Sequence, residues 1–140
     1  MNLNVTRVDV RIAKLKDTPG NLAKKLSALS AAGANLDFVF ARRSPEKPGT
    51  GVVFLSPIKG AKQAAAAKKA GLKKTKRLFA LQVTGPNKAG MGTLITEAIA
   101  EAGISLQGFL AHTMGRKFVL HIAFDTSADA TKAGRIIRKL

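Results

Sequence analysis

The feature that most constrains the fold of this chain is an internal repeat. A shift of 70 positions brings corresponding glycines and leucines of the two halves into register. The superposed pairs are Gly20 with Gly90, Gly33 with Gly103, and Leu36 with Leu106. Because a repeated pattern of this length marks a repeated structural unit, the sequence predicts two modules of the same fold, residues 1–71 and residues 72–140.

Hydrophobic periodicity gives the order of elements in each half. Apolar residues recur at helical spacing after each glycine turn, as in Leu22, Leu26 and Leu29. Two extended segments with alternating polarity follow each helix, and a second helix ends each half at Ala61–Ala70 or Ala128–Leu140. This order predicts an α+β fold in which antiparallel sheets carry helices on one face.

Each half begins with an extended segment that is long for one strand. We predict that each segment does two jobs, so that the halves exchange their fourth strands. Residues 72–76 would complete the first sheet, and residues 2–6 would complete the second. The physical reason is that an unpaired sheet edge invites aggregation. The alternative is a second module with three strands.

Charge is the most extreme feature of the composition. The net charge is +16, and no acidic residue lies between Glu46 and Glu97. Such a surface can attract polyanions or can simply keep the protein solvated. The chain contains no Cys, no apolar span long enough for a membrane helix, and no secretory signal at its start. We therefore expect a cytoplasmic protein that contacts no membrane.

Candidate catalytic groups are sparse. Only His112 and His121 could supply an imidazole base, and a lone histidine on a strand is usually structural or simply exposed. Glu97 and Glu101 share a helix face, a pattern that is more typical of solvated carboxylates than of a metal site. We expect no enzymatic activity, no catalytic residue, no metal and no cofactor.

The glycine turns before the two helices are better candidates for binding. Gly85 and Gly90 have the spacing of a nucleotide phosphate loop, but Met91 stands where that loop needs Lys. A helix N-terminus with free backbone N–H groups still suits a carboxylate, although it is also an ordinary helix start. Its occurrence at Gly20 and again at Gly90 gives a binding role about the same weight as an ordinary helix start.

These turns and the strands that follow resemble the ACT domain, a small amino-acid-binding regulatory module. The first copy reads Asp17-Thr18-Pro19-Gly20-Asn21-Leu22 and Gly33-Ala34-Asn35-Leu36-Asp37. The second reads Asn87-Lys88-Ala89-Gly90 and Gly103-Ile104-Ser105-Leu106. The resemblance covers nearly the whole chain as two tandem modules. It implies a ferredoxin-like βαββαβ fold in each.

The resemblance also implies a function and a ligand site. A free amino acid or a similar metabolite would bind between modules, with its carboxylate on backbone N–H groups and its ammonium on Asp17, Asn35 or Asp37, and would switch the allosteric or oligomeric state. The positions that match the family's site are Asp17, Gly20, Asn21, Leu22, Asn35 and Asp37 in the first copy and Asn87, Gly90, Met91, Gly92, Ser105 and Gln107 in the second.

A nucleic-acid-binding protein is the alternative, because RNA-recognition modules share this order of elements. Such modules stack bases on aromatic residues of the open sheet face. Here Phe118 and Phe124 fall on the face that should lie under the helices, and we expect most of the seven Phe residues in the cores. Nucleic acid would then bind only through phosphate contacts of the central lysines.

The open sheet faces predict self-association. We expect these faces to carry Val39, Ala41, Phe109 and Ala111, and apolar side chains of this kind need cover. Sheet-to-sheet contact in a homo-oligomer would supply that cover.

Overall fold

A computed structural model describes residues 2–140 of the chain and divides them into two compact units. The first unit is Asp9–Thr75, and the second is Lys76–Leu140 together with the segment that ends at Val8. The strands are β1 (Asn4–Val8), β2 (Arg11–Lys16), β3 (Phe38–Arg43), β4 (Thr50–Ser56), β5 (Lys73–Lys74), β6 (Phe79–Pro86), β7 (Gly108–Met114) and β8 (Lys117–Phe124). The helices are α1 (Asn21–Ala31), α2 (Gly60–Lys69), α3 (Met91–Glu101) and α4 (Ser127–Arg138).

Each unit contains one four-stranded antiparallel sheet. The strand order is β3-β4-β2-β5 in the first unit and β1-β6-β8-β7 in the second. Both orders are those of the ferredoxin-like fold, in which the first and third strands lie at the centre. The predicted α+β class with two ferredoxin-like units is confirmed. The division into modules at residues 1–71 and 72–140 stays a prediction.

The predicted exchange of fourth strands is confirmed, and the two exchanged strands differ in length. β1 pairs with β6 over five residues, from Asn4 opposite Thr84 to Val8 opposite Ala80. β5 pairs with β2 over two residues. Side chains also attach β1 to α4, since Arg7 donates to Ser127 Oγ at 2.7 Å and to Thr131 Oγ1 at 3.0 Å.

The two units have separate hydrophobic cores of unequal size. Among the described residues, fourteen buried apolar side chains form the core of the second unit and six form that of the first. The first core contains Ala13, Leu29, Val53, Leu55, Ala67 and Leu72. The second contains Val5, Leu81, Val83, Met91, Ile95, Ile99, Ile104, Phe118, Leu120, Ile122, Phe124, Ala130, Ala133 and Ile137.

The prediction for the open sheet faces is wrong. Cross-strand partners point to the same side of a sheet. Val39 pairs with buried Leu55, and Ala41 pairs with buried Val53, so both face the helices. The same register places Phe109 opposite Ile122 and Ala111 opposite Leu120. The open faces instead carry the alternate residues of β3 and β7.

The expectation that most phenylalanines lie in the cores is also wrong. Of the seven, only Phe118 and Phe124 are fully buried. Phe38, Phe40 and Phe54 lie on the open face of the first sheet, where Phe54 is the partner of Phe40 and Phe38 is two residues from Phe40. Alternation alone divides a strand into two faces, and the register with the neighbouring strand decides which face meets the helices.

None of the helices within residues 2–140 is both long enough and apolar enough to cross a membrane.

Candidate functional site

The turn between β2 and α1 is tightly held by its own hydrogen bonds. The Asn21 side-chain amide donates to the backbone carbonyls of Lys16, at 3.1 Å, and Thr18, at 3.3 Å, and to Thr18 Oγ1. The Asp17 N–H donates to the Gly49 carbonyl at 3.0 Å. Asn21 is among the residues predicted to bind ligand. In the structure its side-chain amide instead makes the hydrogen bonds that fix this turn.

Gly20 ends the turn and begins helix α1. Its φ of 88° lies in the left-handed region, and Gly90 at the start of α3 has a φ of 85°. A side chain would be strained at either position. Neither helix has a side-chain cap or an acidic residue in its first turn. The first turn of each helix therefore keeps a positive field, although the Met91 N–H of α3 donates to the Lys88 carbonyl at 3.4 Å.

A cleft of about 210 Å³ opens beside this turn on the helix-facing side of the first sheet. Its lining combines the Asp17 carboxylate, the Arg43 guanidinium and a small apolar wall. The lining residues are Leu15, Lys16, Asp17, Thr18, Leu22, Ala41, Arg42, Arg43 and Gly51. We call it the Asp17–Arg43 cleft. Its size suits a metabolite smaller than a typical drug-sized ligand.

An ion pair lies at the mouth of this cleft. Arg43 Nε is 2.8 Å from Asp17 Oδ2, and the two side chains are 82% and 37% exposed. Water screens a pair this exposed, so it contributes little to folding. Both charges remain accessible to a small ligand. Lys16 and Arg42 also line the cleft, but alternation along β2 and β3 places their side chains on the other face of the sheet, and Arg42 Nη1 donates to the Arg43 carbonyl at 3.0 Å.

Gly51 keeps the floor of the cleft open. It pairs with Leu15 on one side and Arg43 on the other. A Cβ atom added at Gly51 would lie 2.7 Å from the Arg42 carbonyl oxygen, so the backbone excludes any side chain there. In the second unit the residue at the same place in the sheet is Phe118, which pairs with Gly85 and Thr113 and is buried.

Two residues of the predicted site in the first unit lie far from the cleft. Asp37 precedes β3, and its N–H donates to the Ser56 carbonyl at the end of β4, whereas Gly51 is at the beginning of β4. Asn35 lies two residues before Asp37. A strand of this length separates the two ends by about 20 Å. One small ligand therefore cannot contact both Asp17 and Asp37.

The predicted residues at the start of α3 are partly used by the fold. Asn87 donates from its backbone N–H to the Arg116 carbonyl at 2.8 Å and from its side chain to the Gly115 carbonyl at 3.3 Å. Met91 is buried in the core. Gly92 faces the Phe109 ring, whose Cζ would lie 3.8 Å from an added Cβ.

Ser105 and Gln107 lie at the opposite end of the second sheet, as Asn35 and Asp37 do in the first. The Gln107 N–H donates to the Ala123 carbonyl at 2.8 Å, and its side chain donates to Asp125 Oδ1 at 2.8 Å and to the Arg77 carbonyl at 2.6 Å. Ser105 is exposed. In each unit, the six predicted residues therefore form two groups, one at each end of the sheet.

Sequence reasoning missed part of the cleft. The sequence predicts Asp17 and Leu22 of the lining, but not Arg43, Ala41 and Gly51. These three reach the cleft only through the register of the β3–β4 hairpin, which places Arg43 opposite Gly51. The two adjacent arginines at the end of a strand were the available signal.

The histidines lie on the open face of the second sheet. Burial, and to a smaller extent the positive charge of His112, lower the pKa of His121 below its ordinary value of 6.5. Within the part of the chain that the structure describes, no group of three or more His, Asp or Glu side chains is placed to hold a metal ion.

No family model and no curated protein sequence matches this chain. Solved structures do match its fold. The protein BT0572 from Bacteroides thetaiotaomicron has a TM-score of 0.76 at 12% identity, covering 92% of this chain and 87% of that one. The ligand-free regulatory subunit of aspartate kinase from Thermus thermophilus has a TM-score of 0.66 at 13% identity, covering 99% and 96%.

Clostridium acetobutylicum aspartate kinase, described as an allosteric enzyme, has a TM-score of 0.64 at 12% identity, covering 99% of this chain and 33% of the enzyme. At these identities the similarity establishes the fold. The structural neighbours include regulatory chains of aspartate kinase, so the ACT-like fold implied by the sequence resemblance is supported.

Proposed function

We propose that this chain is a regulatory protein whose first unit binds a free amino acid at the Asp17–Arg43 cleft. The observation that carries the proposal is the ion pair at the mouth of an apolar-walled cleft. Arg43 Nε and Asp17 Oδ2 are 2.8 Å apart, which is the charge pattern that a zwitterion complements. The ligand carboxylate would replace Asp17 on Arg43, and the ligand ammonium would replace Arg43 on Asp17.

The surroundings of the pair favour a ligand with a carboxylate. A guanidinium binds a carboxylate through two parallel hydrogen bonds, which fixes its orientation. The uncapped N-terminus of α1 adds a positive field beside the cleft, because Leu22 of its first turn is part of the lining. Leu15, Leu22 and Ala41 form the apolar wall against which the ligand side chain would pack.

Regulation would follow because several strands and a helix meet at the cleft, so that a bound ligand can favour one arrangement of them. Its lining comes from the end of β2, the start of α1, the end of β3 and the start of β4. A ligand that binds one arrangement of these elements better than another shifts the population toward it. The aspartate kinase regulatory subunits that share this fold are named as regulatory proteins, which supports such a role. Non-enzymatic action in the cytoplasm as a homo-oligomer belongs to the same proposal.

The test is a thermal melting experiment on the full chain against each of the free amino acids at millimolar concentration. A ligand at 100 times its Kd adds about 2.7 kcal/mol and raises Tm by several degrees. We expect a selective increase for one or a few amino acids. A panel in which no amino acid changes Tm would refute the proposal.

Matched variants locate the site. Arg43→Gln and Asp17→Asn should each abolish the increase, because each removes one half of the zwitterion's partner pair. Asp37→Asn makes the same chemical change at the far end of β4 and should leave the increase intact. An increase that survives Asp17→Asn and disappears in Asp37→Asn would place the ligand elsewhere.

A further inference from the structure

The open face of the first sheet, opposite the Asp17–Arg43 cleft, carries an unusual set of aromatic residues. Phe54 lies between Ile12 and Phe40 in a row across three strands, and the Phe40 and Phe54 ring centroids are 6.2 Å apart with 26° between planes. Phe38 is on the same face of β3. Phe40 is 38% exposed in the folded chain.

Cations share this face with the rings. The next row along the strands is Lys14, Val52 and Arg42, and Lys73 of β5 lies beside Ile12. Lys14, Arg42 and Lys73 are exposed. The four strands of this sheet contain no Asp or Glu. We call the set the phenylalanine face; its members are Ile12, Lys14, Phe38, Phe40, Arg42, Val52, Phe54 and Lys73.

The second sheet has the same geometry without this chemistry. The row equivalent to Ile12, Phe54 and Phe40 is Gln82, His121 and Leu110. The row equivalent to Lys14, Val52 and Arg42 is Thr84, Val119 and His112. Neither row contains an aromatic hydrocarbon ring, Lys or Arg. The combination is therefore a property of the first unit's residues and not a requirement of the fold.

The charge of the face decides which partner fits. A second copy laid face to face would bring like charges within a Debye length, about 8 Å at physiological salt, and would be repelled. An acidic protein surface would satisfy the cations but would leave the rings without flat partners. A single-stranded nucleic acid supplies both, because its bases stack on aromatic rings while its phosphates contact cations.

We propose that the phenylalanine face binds single-stranded nucleic acid. Bases stack on Phe40 and Phe54 at the centre of the face, and Lys14, Arg42 and Lys73 contact the flanking phosphates. This function is separate from amino-acid binding, because the rings lie on the opposite side of the sheet from the cleft.

The experiment is fluorescence polarisation of the full chain with a labelled mixed-sequence oligonucleotide, as RNA and as DNA of the same sequence, at physiological salt. Labelled heparin serves as a polyanion without bases. The key variant is Phe40→Leu with Phe54→Leu, which keeps apolar volume and removes both rings. It should weaken oligonucleotide binding about tenfold or more and leave heparin binding unchanged. Unequal affinities for RNA and DNA would identify the natural strand.

Charge variants complete the test. Lys14→Gln with Lys73→Gln should weaken oligonucleotide binding more than Lys62→Gln with Lys69→Gln, which removes the same charge from exposed positions on α2. Phe40→Leu alone, at the most exposed ring of the phenylalanine face, should weaken binding in the same direction and keeps the test valid if the double variant does not fold.

Three results would overturn the proposal. One is the absence of oligonucleotide binding by the wild-type chain. Another is equal binding by the leucine variants and the wild type, which would indicate general attraction to polyanions. The last is a wild-type oligomer that becomes monomeric in Phe40→Leu, measured by analytical ultracentrifugation, which would make this face a contact between copies.

Discussion

Where the first unit has Gly51, the second unit has Phe118, and this one position separates an open cleft from a filled core. Both residues lie on the helix-facing side at the same place in their sheets. Gly51 leaves room between Leu15, Leu22 and Ala41. Phe118 instead packs into the second core. The backbone pattern is shared, so the side chains at a few positions determine whether a unit has room for a ligand.

The two units also differ in the size of their cores and in their net charge. The second unit buries fourteen apolar side chains in its core, and the first buries six. The first unit has 14 Lys and Arg against 4 Asp and Glu in residues 9–75, a net charge of +10 out of the total of +16. The unit with the smaller core thus carries the cleft, the phenylalanine face and most of the charge.

The largest expected effect comes from a substitution in β1, which should destabilise the second unit and leave the first unit nearly unchanged. Val5 is buried in the second core, whereas the next residue, Thr6, is exposed on the other face of the strand. Val5→Asp should lower the free energy of unfolding by more than about 3 kcal/mol, because it buries a charge without a partner. Hydrogen exchange should show lost protection in β6 and α4 and little change in the first unit.

Thr6→Asp is the matched control for this prediction, with an expected change within about 0.5 kcal/mol. Equal destabilisation by the two variants would show that charge on β1, and not burial of Val5, causes the effect. Equal loss of protection in both units would contradict the separation of their cores.

The next effect tests the comparison between Gly51 and Phe118. Phe118→Ala should lower the free energy of unfolding by about 3 kcal/mol, since it leaves a cavity in the second core. Phe109→Ala removes the same kind of ring from a position that is 41% exposed. It should lower the free energy of unfolding by less than half as much as Phe118→Ala. Urea unfolding measures both. A similar cost at the two positions would show that Phe118 does not fill the core as the structure indicates.

The order of elements and the exchange of strands could be predicted because they depend on local signals. The glycine turns, the helical spacing of Leu22, Leu26 and Leu29, and the two overlong extended segments are all visible in the sequence. The faces of β3 could not be predicted. Alternation groups Phe38 and Phe40 with Ala34 and Leu36, yet the register with β4 turns the two phenylalanines away from the helices.

The candidate site could be predicted only on the turn side. Asp17 and Leu22 lie five residues apart in one turn, so a motif can identify them. Arg43 comes into contact with Asp17 across 26 residues, and the length of the β3–β4 connection sets that contact. The family resemblance also groups Asp37 with Asp17, although helix α1 between them carries Asp37 to the far end of the sheet.

The smallest effect concerns the open faces and depends on pH. His121 occupies the place that Phe54 has in the first sheet, with Gln82 and Leu110 beside it and His112 on the neighbouring strand. Its pKa is lowered in the folded state by burial and then by His112. As pH falls below 6.5, the unfolded chain therefore takes up a proton more readily than the folded one, and stability decreases.

We expect the free energy of unfolding to decrease between pH 7 and pH 5, and His121→Gln to flatten that decrease. His112→Gln, which removes the smaller cause, should flatten it less. Urea unfolding across this pH range measures both variants. An unchanged slope in His121→Gln would show that other groups cause the pH dependence.

The exchange of strands also sets the order in which the units can form during synthesis. Every strand of the first sheet has left the ribosome once residue 74 has emerged, so this sheet can close early. β1 is made before the strands of the first sheet, but its partner β6 begins at Phe79. At about 5–20 residues per second, Val5 waits several seconds for its core. β1 therefore precedes the whole first sheet in synthesis but is buried after it, and during that interval it is open to chaperones and proteases.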